Sequence, residues 1–77
     1  MESLELKLRM IDEGQFPVTL TKKMVEMFGD PEMSIEVKAG EISEDVSRLL
    51  DSLGYVITVR KPIADWILLK AVKQKKQ

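Results

Sequence analysis

The side chains able to do chemistry in this 77-residue chain are carboxylates, lysines and hydroxyls, because the sequence holds no cysteine and no histidine. The Ser-His and Cys-His nucleophilic arrangements and the usual zinc sites therefore cannot be built from it. Two adjacent acid pairs, Asp12-Glu13 and Glu44-Asp45, are the nearest thing to an acid-base or metal pair. Sequence neighbours do not converge in regular structure, and both pairs fall where a turn or a helix start is expected, so they read as solvated capping acids. The expectation is a chain that is not an enzyme, with no catalytic residue, no cofactor and no metal.

The basic side chains are unevenly placed. Residues 1–54 hold six Lys or Arg against twelve Asp or Glu, whereas residues 55–77 hold six against one, although the whole chain carries only −1. The basic quarter comprises Arg60, Lys61, Lys70, Lys73, Lys75 and Lys76. Such a cluster fits either phosphate contact or a solubilising tail, and residues 74–77 are expected to fray. The larger apolar side chains divide in the same way between two readings. Met24, Met27 and Phe28 share helical spacing with Leu20 and read as core, with a ligand pocket as the sharper alternative. Trp66, the only tryptophan, reads as a partly buried anchor in an apolar run, with base stacking as its alternative. Phe16 either staples a helix start to the core through Leu20 or stands exposed as a docking knob.

These side chains are positioned by elements that the periodicities define. Leu4, Leu6, Leu8 and Met10 alternate with charged residues, which predicts a first strand with one apolar face. Asp12 to Gln15 is a turn, after which Phe16-Pro17 opens a helix whose first turn suits proline; Gly29-Asp30-Pro31 stops it. Its expected inner side is Leu20, Met24, Met27 and Phe28, against Thr19, Lys22, Lys23 and Glu26. Met33, Ile35 and Val37 alternate with polar residues in a second strand. Val46, Leu49, Leu50 and Leu53 form the stripe of a second helix, with Ser43 as N-cap and Gly54 as the left-handed stop. A β-branched strand runs from Tyr55 to Lys61-Pro62, and the unbroken apolar segment Ile63 to Val72 reads as a strand paired with it in a hairpin.

The order strand, helix, strand, helix, strand, strand predicts an α+β fold: a two-layer β-α-β-α-β-β sandwich, a four-stranded mixed sheet with two helices on one face, and charged residues on the other. Residues 1–77 are expected to make a single small domain. A chain of this length buries only about 60% of its unfolded surface, enough for one shared core and too little for a deep enclosed active site. Without cysteine no disulfide can form, the first residues do not resemble a signal peptide, and Trp66 to Leu69 is too short to span a bilayer. A cytoplasmic protein that does not enter the membrane is expected.

The same order and several local segments resemble the TusA-like family of small sulfur carriers, also called SirA-like. The resemblance is carried by Phe16-Pro17-Val18 opening the first helix, Thr21-Lys22-Lys23 within it, Gly29-Asp30-Pro31 before the second strand, and Leu50-Asp51-Ser52-Leu53-Gly54-Tyr55 at the end of the second helix. In that family the first helix opens with Cys-Pro-x-Pro and the cysteine carries a persulfide. Here Phe16 stands in the cysteine position and Thr19 in that of the second proline. A phenyl ring holds no transferable sulfur, so the resemblance implies the fold and a partner surface at Phe16, Pro17, Lys22 and Lys23 without the carrier chemistry. The protein is accordingly expected to act by contact with an unidentified protein. The chain is also similar, in element order and in Ser34 to Val46, to Alba-like chromatin proteins and to the C-terminal domain of translation initiation factor three. That second resemblance implies a nucleic-acid-binding module using the basic C-terminal quarter.

Overall fold

The computed structural model describes residues 4–11, 15–29 and 31–74. Within them the chain runs β1 (Leu4–Lys7), α1 (Phe16–Phe28), β2 (Glu32–Lys38), α2 (Glu41–Ser52), β3 (Tyr55–Pro62) and β4 (Trp66–Lys73). The strand order is β1-β2-β4-β3, with β1 parallel to β2, and with β2 and β3 both antiparallel to β4. This is the predicted α+β arrangement of a mixed four-stranded sheet and two helices. Asp12 to Gly14 of the turn expected at Asp12 to Gln15, Asp30, and Lys75 to Gln77 lie outside the described residues.

Alternation decides which face of the sheet is covered. Register aligns Leu6 with Ile35 and Ile35 with Leu69, and these side chains are buried together with Met33, Val37, Ile67 and Ala71. Val25 of α1 and Val46 and Leu50 of α2 join the same cluster, so both helices lie on this face. The segment after Pro62 is extended, as its pairing requires. Ile63 N–H donates to the Trp66 carbonyl at 2.9 Å to close the hairpin, and β4 takes a central place between β2 and β3. Along β4, Ile67 and Leu69 are buried toward the helices, while Trp66 and Leu68 are half-buried on the opposite face.

Helix limits follow local chemistry. Pro17 occupies the first turn of α1, and Gly29, at φ 60°, ends it by donating its N–H to the Val25 carbonyl at 2.8 Å. Gly54 takes φ 90° just beyond α2, as the sequence requires. The start of α2 differs from expectation. Gly40 holds the N-cap position at φ 100° and ψ −136°, a conformation that a side chain would strain. Ser43 lies inside the first turn, 4% exposed, where its hydroxyl donates to the Gly40 carbonyl at 2.8 Å.

Three expectations about which side chains face inward are corrected. β1 ends at Lys7, and Met10 is exposed in the following turn instead of extending the apolar face. In α1 the buried line is Pro17, Thr21 and Val25; Leu20 and Met24 are half-buried and Met27 and Phe28 exposed. The helix lays its smaller side chains inward, which permits close approach to its neighbours, and the longer ones reach round its flank. The third correction lies in β3, where the register with β4 slips by one residue between Ile57 and Val59. Thr58 is the extra residue of this bulge, its hydroxyl 3.3 Å from the Lys70 carbonyl. Because strand side chains alternate with period two, one inserted residue exchanges the faces. Before the bulge Tyr55 and Ile57 face the helices; after it Arg60 does so, while Val59 and Lys61, opposite Lys70 and Leu68, turn to the uncovered face. That face is therefore charged mainly along β1 and β2, with Lys70 and Lys61 the charges on β4 and β3. Along β4 and β3 it carries Trp66, Leu68, Val72, Val56 and Val59.

Candidate functional site

The start of α1 combines an exposed aromatic ring with an electropositive helix end. Pro17 is fully buried and anchors this end to the core. One residue earlier, about 100° round the helix, Phe16 points outward and is 54% exposed. Leu20 packs on the core and Phe16 does not, so no staple forms and the ring stands exposed. Pro17, expected to touch a partner, is instead buried in the core beneath this helix end. Lys22 and Lys23 are both exposed on the next turns.

Helical geometry extends the surface beyond the residues that the sequence singled out. Phe16, Leu20, Lys23, Met24 and Met27 fall within an arc of roughly 100°. Along the helix axis Phe16 and Met27 are exposed at the two ends of this stripe, and Leu20 and Met24 lie half-buried between them. Sequence reasoning placed Met24 and Met27 in the core. The signal that would have found them is a competing line, Pro17, Thr21 and Val25, with the same spacing of four. Charge adds a direction to this flank. Gln15 caps α1 with no side-chain hydrogen bond, the first turn holds no acid, and the first backbone bond runs from Thr19 N–H to the Gln15 carbonyl at 2.9 Å. The helix dipole and the two lysines thus favour an anionic neighbour.

The chain matches no protein-family model, no curated protein and no solved structure. The site therefore has to be read from its own geometry.

The basic quarter is divided by the bulge. Lys61 and Lys70 stand on the uncovered sheet face, whereas Arg60 turns to the helix side and its guanidinium donates to the Ser47 hydroxyl at 3.2 Å. Lys73 lies at the end of β4 opposite Tyr55, and Lys75 and Lys76 lie outside the described residues. Between α2 and β3, Arg60, Arg48 and Asp51 line a shallow groove with Tyr55 at its side. Arg48 is already paired with Asp45 one turn earlier on α2. Glu44, the other member of that acid pair, is exposed on the first turn. Among the described residues no three acidic side chains gather as a metal site, and no helix is long and apolar enough to cross a membrane.

At the far end of the sheet, Lys38 Nζ donates to Asp65 Oδ2 at 2.9 Å. That hydrogen bond, and then the charge of Lys38, hold the Asp65 carboxyl below the usual carboxylate range.

Proposed function

We propose that this chain is a non-enzymatic, TusA-like docking domain of the cytoplasm that works by contact with another protein and carries out no persulfide chemistry. The observation behind this reading is Phe16, an aromatic side chain 54% exposed on a buried proline at a helix start. Aromatic residues held rigidly at the surface are the usual anchors of protein interfaces. Phe16 enters an apolar pocket of the partner, and Leu20, Met24 and Met27 continue the contact along the helix in the spacing that a groove accepts. Lys22 and Lys23 meet acidic groups around that pocket. Pro17 keeps the anchor in place.

The nucleic-acid reading ranks second. A site that follows a phosphate backbone needs its cations on one surface, and here Lys61 and Lys70 lie on the sheet face opposite that of Arg60.

Affinity capture from the native host, with and without nuclease, tests the proposal. Wild type is expected to retain a nuclease-resistant protein that Phe16→Ala and Lys23→Glu lose while their melting curves stay close to wild type. Capture that nuclease abolishes, or that both variants leave unchanged, overturns it.

A further inference from the structure

The uncovered face of the sheet lies on the side opposite α1 and needs its own account. Register arranges it as a grid. Val72 stands between Glu32 and Val56. Lys70 stands between Ser34 and Val59, with Glu5 beyond Ser34. Leu68 stands between Glu36 and Lys61, with Lys7 beyond Glu36, and Trp66 lies beside Lys38 at the end. Val56 and Val59 are exposed. Trp66 is half-buried under the Arg9 guanidinium, which lies 4.7 Å from its ring centroid, and Leu68 and Val72 are half-buried, although no described helix covers them.

We propose that this face binds a second copy of the chain, the two sheets stacked about a twofold axis that lies across the strands, midway between the rows of Lys70 and Leu68. Such an axis sets each strand against its own copy and reverses the order of the rows. Glu5 then meets the second copy's Lys7, and Glu32 meets the second copy's Lys38. Val72 meets the second copy's Trp66. The second copy's Glu36 comes over Ser34, beside Lys70. Glu5 and Glu32 thereby each face a cation and Glu36, bridged to Arg9 of its own chain, comes beside Lys70, which is the complementarity that an isologous contact requires. A face of one sign would repel its own copy.

Relief on the face agrees with this packing. Ser34 is the small residue at its centre, and two shallow depressions of about 260 and 270 Å³ adjoin it. One is lined by Glu5, Ser34, Lys70 and Val72, the other by Glu5, Ser34, Glu36 and Leu68. They leave room for the second copy's Leu68 and Glu36. Four strands at ~4.8 Å and seven residues at ~3.3 Å give a projected face of roughly 19 by 23 Å. With side chains standing on it, such a face falls at the lower end of specific interfaces, about 600 Å² per partner, so the dimer is reversible. Aligned sheets cross at about 30°, which keeps the central pairs in place and displaces those at the edges by part of a row. The long side chains of Glu5 and Lys7 span that displacement. Single-stranded nucleic acid fits less well, because Glu5, Glu32 and Glu36 stand within the face.

Sedimentation equilibrium on the full chain from about 1 µM to about 1 mM tests the proposal, since a reversible contact of this size dissociates within that range. Wild type is expected to pass from monomer to dimer. Glu5→Lys and Lys7→Glu are each expected to weaken the dimer by roughly threefold to tenfold, because every dimer contains the altered contact twice. An equimolar mixture of these two variants, and the double variant carrying both changes, are expected to recover wild-type association. Leu68→Glu is expected to remain monomeric throughout, with circular dichroism verifying its fold; the Glu5 and Lys7 exchanges decide the matter if that variant does not fold. A monomeric wild type at the highest concentration, single variants that associate like wild type, or association abolished by Phe16→Ala overturns the proposal. The last outcome would instead place self-contact on α1, and none of these results depends on the protein partner proposed for Phe16.

Discussion

The guanidinium of Arg9 lies over the ring of Trp66, 4.7 Å from its centroid, while one of its nitrogens donates to Glu36 Oε1. A residue just beyond β1 is thus tied to β2 and β4 across the uncovered face. It shields one side of the indole that a base or a ligand would have to stack upon.

The Arg9 bridge is accessible to measurement because Trp66 is the only tryptophan. Cation–π contacts at exposed sites contribute about 0.5 to 1 kcal/mol. Arg9→Ala is expected to lower stability by about 1 kcal/mol and to shift the intrinsic fluorescence as the indole gains water. Unchanged emission would mean that the ring is not covered by Arg9 in solution.

Thr21 makes a second case. Its side chain is fully buried and its hydroxyl has no hydrogen-bond partner among the described residues. Leaving a polar group unsatisfied costs about 1 to 3 kcal/mol, and valine has nearly the same shape. Thr21→Val is expected to raise the midpoint of denaturant unfolding by the equivalent of about 1 kcal/mol. A loss of stability would show that the hydroxyl is satisfied in solution.

At the start of α1, exposure and burial separate two truncations. Phe16→Ala is expected to cost less than about 1 kcal/mol, as surface substitutions do. Leu50→Ala, at a side chain 0% exposed, is expected to cost about 3 kcal/mol through lost burial and a cavity. Phe16→Cys is expected to fold and to yield a thiol with a pKa below the ordinary cysteine value, because a helix N-terminus favours the thiolate. Alkylation rate against pH measures this directly, and an ordinary thiol would remove the electrostatic part of the docking argument.

The Lys38–Asp65 pair supplies a dependence on pH. A carboxyl whose pKa is lowered on folding adds stability above its unfolded pKa, and that stability is lost as pH falls through the folded value. The Asp65 side chain is 75% exposed, so the effect is small and screened by salt. The melting-temperature advantage of wild type over Asp65→Asn is expected at about pH 6, and to shrink below about pH 4 and in high salt. An advantage that persists at low pH would assign it to something other than the ion pair.

Much of this molecule was legible in the amino-acid order. Strand and helix types follow from periods of two and 3.6 residues, and Pro17, Gly29 and Gly54 mark helix limits through chemistry that belongs to single residues. The missing cysteine and histidine dismiss whole classes of site without any coordinates. Lys22 and Lys23 were readable on the outer side of α1 from their spacing, whereas Phe16 stood open between a staple and an exposed ring until the fold left it 54% exposed.

What the sequence left undecided are relations between elements. Two lines of equal spacing run along α1, and only its packing against the rest of the fold puts Pro17, Thr21 and Val25 inward and leaves Met27 in water. The bulge at Thr58 is a property of how β3 pairs with β4 and is written in neither strand alone. By reversing the alternation halfway along β3 it sends Arg60 toward α2 and Lys61 to the opposite face, and so divides a basic cluster that is continuous in sequence. Periodicity fixes the phase of side chains within an element, but burial depends on what lies across from it, and that is settled only when the layers pack.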